Sequence, residues 1–96
     1  MAKFFYVYVL RSLSDGRWYI GSTIDLKQRL KLHNSGAVES TRPRRPFELI
    51  FYEAYRNELD GKRRESYFKS SKGKTSLRLM LAEFLKSPDV AGTPQT

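Results

Sequence analysis

The chain begins with an almost unbroken apolar and aromatic run, Phe4 to Leu10, that contains β-branched Val7 and Val9. Such residues favour strands, and the Ser14-Asp15-Gly16 segment that follows is typical of a turn. A second apolar run resumes at Trp18-Tyr19-Ile20. The pattern therefore predicts an antiparallel β-hairpin at the start of the chain.

The next part of the chain, about residues 25 to 35, is predicted to form a helix. Asp25, followed three residues later by Gln28, resembles a capping pair at a helix N-terminus. Apolar positions then recur at helical spacing as far as His33, and Gly36 offers a C-terminal stop.

The composition changes twice after this helix. Residues 37 to 46 carry two prolines, three arginines and small polar residues, which is typical of an exposed cationic loop that cannot fill a core. Phe47 to Tyr55 is rich in apolar residues and lacks a breaker, so it predicts a third strand. Asn57 or Asp60 can cap a second helix that runs to about Ser70.

The last part of the chain predicts one more helix and a tail. Leucines and a phenylalanine between Leu77 and Leu85 favour a third helix, whereas residues 87 to 96 resemble a frayed end. The order β-β-α-β-α-α predicts a small α/β domain, residues 1 to 86. Its sheet is three-stranded, mostly antiparallel and flanked by helices.

Length and charge narrow the possible partners. Ninety-six residues with 40% hydrophobic content suit one domain, and eighteen Lys and Arg against ten Asp and Glu give a net charge of +8. This balance favours polyanions: nucleic acid first, an anionic membrane surface second. The apolar N-terminal run is too short to span a bilayer and is followed by no cleavage site, so we expect a cytoplasmic protein without a membrane partner.

The chain excludes several kinds of catalytic site. It has no cysteine and one histidine, His33, and its carboxylates lack paired spacing, so a metal centre with several protein ligands is excluded. It also lacks a Gly-x-Ser-x-Gly turn and a glycine-rich phosphate loop. Any metal ion would be held by few protein groups.

Four short motifs, in order along the chain, belong to one known pattern. They are Tyr6-Val7-Tyr8 on the first strand, Tyr19-Ile20-Gly21 on the second, Asp25-Leu26-x-x-Arg29-Leu30-x-x-His33-Asn34 on the helix, and Glu65 on the next helix. This combination resembles the GIY-YIG nuclease superfamily, with Tyr6-Val7 in place of Gly-Ile. The likeness runs from about Phe4 to Leu85.

The resemblance implies metal-dependent hydrolysis of phosphodiester bonds in DNA, by a nuclease of the kind used in DNA repair or in processing branched structures. Glu65 would be the lone protein ligand to Mg²⁺ (or Mn²⁺), an ion that keeps most of its water. Arg29, one helical turn before His33, would grip a phosphate oxygen.

The family also implies that a tyrosine takes a proton from the attacking water. Tyr8 is the first choice and Tyr19 the second, and His33 would relay the proton or hydrogen-bond a tyrosine. A free phenol has a pKa near 10, so we expect Arg29, a bound metal and His33 to lower it.

Cations that flank these motifs are the candidate nucleic-acid contacts. They are Lys27, Lys31, Arg42, Arg44, Arg45, Lys69, Lys72 and Lys74. Contacts of this kind bind phosphates with strong salt dependence and little sequence preference, so RNA is a second possible substrate. A protein partner that supplies targeting is compatible with so small a domain.

Other interpretations remain open from the sequence. Tyr8 and Tyr19 can be ordinary half-buried strand aromatics, and Glu65 can be a surface ion-pair partner. The whole chain can be a nucleic-acid-binding module that keeps the fold without turnover. A basic protein that docks on ribosomal RNA or an anionic membrane is a third class.

Overall fold

The computed structural model describes residues 3–86, in which an antiparallel three-stranded sheet carries helices on both faces. The strands are β1 (Phe5–Ser12), β2 (Trp18–Thr23) and β3 (Phe47–Tyr55). The helices are α1 (Leu26–Ser35), α2 (Glu58–Lys69), α3 (Ser71–Met80) and α4 (Ala82–Lys86), and Arg42–Arg44 form a 3₁₀ turn. The predicted α/β class and element order are confirmed. The predicted tail, residues 87 to 96, lies outside the described residues, so the domain limit stays a prediction.

β1 is the central strand of the sheet. The strand order is β2-β1-β3, and both neighbours run antiparallel to β1. Tyr8 of β1 therefore lies opposite Gly21 of β2 on one side and Tyr52 of β3 on the other. β2 pairs only with β1, which leaves its outer side as a sheet edge.

Alternate residues of β1 contribute to two separate cores, because successive side chains of a strand point to opposite faces. Val7 packs with Phe68 and Leu77 on the face covered by α2 and α3. Tyr8 belongs to the other core, where Leu30 of α1 packs against it. The sheet thus separates α1 from α2 and α3, and a site that uses both sides must be assembled across β2.

The ends of the first two long helices follow the predicted signals. The Asp25 side chain accepts a hydrogen bond from the Gln28 backbone N–H, and Gly36 ends α1 with a left-handed φ of 87°. Asn57, not Asp60, caps α2 by accepting from the Leu59 N–H. These caps satisfy N–H groups that a helix start otherwise leaves without partners.

The predicted third helix is present, but it is divided into α3 and α4. The chain leaves helical geometry at Leu81, where φ is −106° and ψ is 19°, and α4 begins at the next residue. Leu81 and Phe84 are half-buried, whereas Leu79 is 74% exposed. No helix within residues 3–86 is long and apolar enough to cross a membrane.

Candidate active site

A chain of hydrogen bonds starts at the Tyr8 hydroxyl and ends in the loop after α1. Tyr8 Oη lies 3.0 Å from His33 Nε2, and His33 Nδ1 lies 2.9 Å from Thr41 Oγ1. His33 and Thr41 are fully buried, and Tyr8 is 2% exposed. The strand, the helix and the loop therefore each supply one member of a buried polar chain.

The chemistry of these groups assigns the direction of each hydrogen bond. The Thr41 hydroxyl donates its hydrogen to the Val38 carbonyl at 3.3 Å, so it accepts from His33 Nδ1–H. A neutral imidazole carries one hydrogen, which leaves Nε2 as an acceptor. The Tyr8 hydroxyl therefore donates to His33 Nε2.

Arg29 lies between the two candidate tyrosines and the surface. Its pKa is raised, chiefly by Tyr8 and also by Tyr19, which shows that both phenols lie near the guanidinium. The Tyr19 ring is 6.4 Å from the Tyr8 ring and 4.9 Å from the His33 ring, measured between centroids. Arg29 Nε is buried and has no hydrogen-bond partner within residues 3–86.

Gly21 gives the Tyr8 hydroxyl its space. A Cβ at this position would lie 2.5 Å from Tyr8 Oη and 3.1 Å from Tyr19 Cε2, much closer than real side chains approach. Gly21 is not among the positive-φ glycines, so the glycine is required for close approach and not for its backbone conformation.

Glu65 of α2 is held on the opposite side of β2. Ser22 Oγ donates to Glu65 Oε1 at 2.6 Å, Lys69 Nζ lies 3.0 Å from Oε2, and Lys62 Nζ lies 3.8 Å from Oε1. Burial raises the pKa of Glu65, but the Ser22 and Lys69 hydrogen bonds and the two lysine charges outweigh burial, and the pKa is lowered overall. The carboxylate is therefore charged at neutral pH.

Two successive residues of β2 connect the two sides of the site. Gly21 contacts the tyrosines and Ser22 bonds Glu65, since neighbouring strand residues face opposite ways. The Glu65 charge contributes to raising the pKa of Tyr8, so the two sides interact electrostatically. Between the described side chains, no hydrogen bond joins Glu65 to Tyr8 or Tyr19.

The prediction that Arg29 and His33 lower the phenol pKa was wrong for Tyr8. Burial raises the pKa of Tyr8 by more than the neighbouring Arg29 lowers it. His33 adds no positive charge at neutral pH, because burial and the charge of Arg29 lower its pKa to about 4. Tyr8 is a neutral phenol beside a neutral imidazole.

The eight candidate nucleic-acid contacts fall into three groups. Arg44 and Lys69 are paired with carboxylates, those of Asp15 and Glu65. Two more are attached to the loop: Arg42 Nε donates to the Gly36 carbonyl, and Arg45 Nε donates to the Arg42 carbonyl. The remaining four are exposed and have no ion pair with a described carboxylate: Lys27, Lys31, Lys72 and Lys74.

Two residues of the site lie outside the motifs. Thr41 belongs to the loop predicted to be exposed and without a core role, yet it is fully buried and its hydroxyl is hydrogen-bonded to His33. Ser22 follows the Tyr19-Ile20-Gly21 motif directly, and its hydroxyl bonds Glu65, 43 residues away. No local sequence signal distinguishes either residue.

The metal-binding capacity of the site is limited to Glu65. No group of three or more His, Cys, Asp and Glu side chains that could hold an ion occurs among residues 3–86. A half-buried, charged carboxylate with neighbouring hydroxyl and ammonium groups suits Mg²⁺, which binds proteins through one or two carboxylates and retains water. Lys69 would compete with the ion for Glu65 Oε2.

Comparison with known proteins shows which family the chain belongs to. The profile of the GIY-YIG catalytic domain matches residues 4–78, and the chain therefore belongs to the GIY-YIG family. Within it, the chain belongs to the UPF0213 group: a UPF0213 protein of Pediococcus acidilactici is 40% identical over 79 residues, which cover 79% of this chain and 80% of that protein.

Two further UPF0213 proteins are similar to the chain. One, from Bacillus subtilis, is 43% identical over 67 residues, which cover 69% of this chain and 65% of its own length. The other, from Bacillus halodurans, has a solution NMR structure; it is 34% identical, with coverage of 93% and 92% and a TM-score of 0.49.

Proposed function

We propose that this protein is a divalent-metal-dependent endonuclease that hydrolyses phosphodiester bonds in DNA, with Tyr8, Tyr19, Arg29, His33 and Glu65 as its catalytic residues. The observation that carries the proposal is the buried hydrogen-bonded chain from Tyr8 through His33 to Thr41. An ordinary strand tyrosine needs one hydrogen-bond partner. The Tyr8 hydroxyl instead bonds a histidine whose other ring nitrogen is also hydrogen-bonded, to Thr41.

The chain of hydrogen bonds gives Tyr8 a way to act as a general base while it remains a neutral phenol. As a water oxygen bonds to phosphorus, the water proton passes to Tyr8 Oη and the phenol proton passes to His33 Nε2. The phosphorus–oxygen bond to the leaving group breaks, and that oxygen takes a proton from solvent. Because the pKa of His33 is about 4, its Nε2 lone pair is available at neutral pH.

Tyr19 has a different role in this proposal. It is half-buried and has no hydrogen-bond acceptor among the described side chains, so it has no comparable route for its own proton. Its position beside Arg29 suits contact with a phosphate oxygen. Arg29 itself contributes the positive charge of its guanidinium, which can stabilise negative charge as it develops on that oxygen.

Glu65 would hold the metal ion, and Mg²⁺ or Mn²⁺ suits a single carboxylate with solvent and phosphate oxygens as further ligands. When bound, the ion supplies neutralisation of charge on the phosphate and the leaving oxygen. Ser22 and Lys69 keep the carboxylate charged and oriented towards the β2 edge.

The test is a cleavage assay with Glu65→Gln. Labelled single-stranded, duplex, flap and four-way DNA are incubated at low salt with Mg²⁺, Mn²⁺ or EDTA. We expect metal-dependent cleavage by the unchanged protein and a loss of at least about 100-fold in the variant. Glu83→Gln is the matched control, since Glu83 also pairs with a lysine but its side chain is 91% exposed. Absence of cleavage of every DNA form would reject the proposal.

A non-catalytic binding module is the second candidate. The observation that favours it is that both Glu65 oxygens already have partners, Ser22 on one and Lys69 on the other. It predicts salt-sensitive DNA binding that is the same with Mg²⁺ and with EDTA, without cleavage. Cleavage that Glu65→Gln abolishes would exclude this candidate.

A further inference from the structure

A second cationic site lies on β2, away from the tyrosines. A cavity of about 240 Å³ opens between the β1–β2 turn, β2 and α3. Its lining residues are Gly16, Arg17, Trp18, Ile20, Lys74 and Arg78. None of them is acidic, and the Arg78 guanidinium lies 5.7 Å from the centre of the Trp18 ring.

The cations of this cavity have little acidic charge beside them. Asp15 accepts from the Arg17 backbone N–H, and its pKa is lowered by that hydrogen bond and also by the charge of Arg17. Arg17, Lys74 and Arg78 form no ion pair with any carboxylate of residues 3–86, whereas Lys62 and Lys69 on α2 both pair with Glu65. Lys74 and Arg78 stand four residues apart on α3, a spacing at which like charges repel. An anionic ligand would relieve this repulsion.

The cavity and Glu65 share one face of the same edge strand. Trp18, Ile20 and Ser22 alternate along β2 and point to the side covered by α2 and α3. Trp18 and Ser22 are four residues apart, which is roughly 13 Å along a strand. That distance corresponds to about four nucleotides at the rise of B-form DNA.

We propose that this cavity binds backbone phosphates of the nucleic-acid strand that continues along β2 from the catalytic site. The occupant is a polynucleotide, because a polyanion can bring separate phosphates to Arg17 on the β1–β2 turn and to Lys74 and Arg78 on α3, whereas one small anion cannot. Its place next to the scissile bond rests on the proposed nuclease function, whereas the binding itself does not. The cavity contributes affinity and orientation, without reading bases.

The single tryptophan of the chain allows a direct test. Trp18 fluorescence is titrated at low salt, in EDTA, with single-stranded DNA of about 12 nucleotides, within the size range of single-strand sites. Anisotropy of labelled DNA measures total binding in parallel. We expect a saturable change in Trp18 emission, and a fall in affinity of at least about tenfold for Arg17→Gln/Lys74→Gln.

Lys27→Gln/Lys31→Gln is the matched control, because it also removes two positive charges, but from the exposed side of α1. It should leave the Trp18 response at saturation unchanged and lower the affinity less than the cavity pair does. All four cations are exposed, so both variants should unfold at the temperature of the unchanged protein. The salt dependence should weaken by about 0.7 in log–log slope for each lost phosphate contact.

Each result decides the proposal. A silent Trp18 at saturating DNA, or equal losses in the two variants, would overturn it. A response to inorganic phosphate with none to DNA would assign the cavity to a small anion and overturn it as well. Cleavage without a change in Trp18 emission would support the nuclease proposal and reject the phosphate site. A change in Trp18 emission without cleavage would support the phosphate site and reject the nuclease proposal.

Discussion

The two sides of β2 hold their polar groups in opposite ways. On the α1 side, Tyr8, His33 and Thr41 are buried, neutral and joined in one line of hydrogen bonds. On the α2 side, Glu65 is charged, half-buried and surrounded by two lysines. Packing fixes the positions of the polar side chains on the α1 side, whereas charge interactions fix the position of Glu65 on the α2 side.

This difference has consequences for how each side responds to change. Burial makes the α1 side sensitive to single atoms and insensitive to salt, because a buried polar group without a partner is costly. Partly exposed ion pairs are screened, so the α2 side should vary with ionic strength and tolerate conservative replacement better.

Tyr8→Phe should have the largest effect. It removes the hydroxyl that receives the water proton, and the cleavage rate should fall by roughly 10² to 10⁴, the usual contribution of a general base. Tyr19→Phe should cost less, since Tyr19 has no described acceptor for its proton. Both rates are measured on the best substrate from the DNA panel. A larger loss with Tyr19→Phe would assign the base to Tyr19.

Gly21→Ala should be nearly as harmful, although it adds one methyl group. The methyl carbon would lie 2.5 Å from the Tyr8 hydroxyl oxygen, so the hydroxyl would have to move. Displacement of a catalytic atom by about 1 Å can lower the rate by 10²-fold. Ser22→Ala, at the next residue, faces Glu65 and removes only one hydrogen bond, for about tenfold. Equal losses from the two variants would show that the two sides of β2 do not differ as described.

The residues of the GIY-YIG motifs could be predicted because their spacing along strand and helix carries the pattern. The third strand and the Asp25 cap also came out correctly, since each depends on neighbouring residues. Thr41 and Ser22 could not be predicted. Each is defined by one contact with a partner from another element, and the surroundings of Thr41 look like exposed loop.

The pKa direction of Tyr8 was mispredicted for a related reason. The motif places Arg29 near the tyrosines, and charge alone suggests a lowered phenol pKa. The sequence does not show how deeply Tyr8 is buried, and burial is the larger influence. Similarly, the leucine and phenylalanine positions between Leu77 and Leu85 favour a helix, but they do not show that the backbone leaves helical geometry at Leu81.

Folding stability should fall as the pH drops from 6.5 towards 4. His33 has a pKa of about 4 when folded and an ordinary value of 6.5, so the unfolded chain binds its proton first. The loss by pH 5 should be about 2 kcal/mol. Urea unfolding at pH 7.5 and pH 5 measures it, and His33→Gln should remove the difference. The pKa of Glu65 is lowered from 4.5, so its contribution is lost only at lower pH and stays separate.

Thr41→Val should have a small effect, similar in size to that of Ser22→Ala, and the most specific one. Valine keeps the shape of threonine but cannot accept from His33 Nδ1–H, so the imidazole no longer has a fixed tautomer. Losing one buried hydrogen bond that orients the proton acceptor should slow cleavage by about tenfold. Thr41→Ser keeps the hydroxyl and should restore most of the rate.

Nitrogen NMR of the single histidine separates this positioning role from simple destabilisation. In the unchanged protein the proton should sit on Nδ1, and in Thr41→Val the spectrum should show exchange between the two tautomers. Thr75→Val is a suitable control, since Thr75 is exposed and its hydroxyl bonds only a helix carbonyl. If Thr41→Val left the His33 spectrum unchanged while the rate fell, Thr41 would act through packing. Proton transfer from Tyr8 to His33 would then not depend on the hydrogen bond between Thr41 and His33.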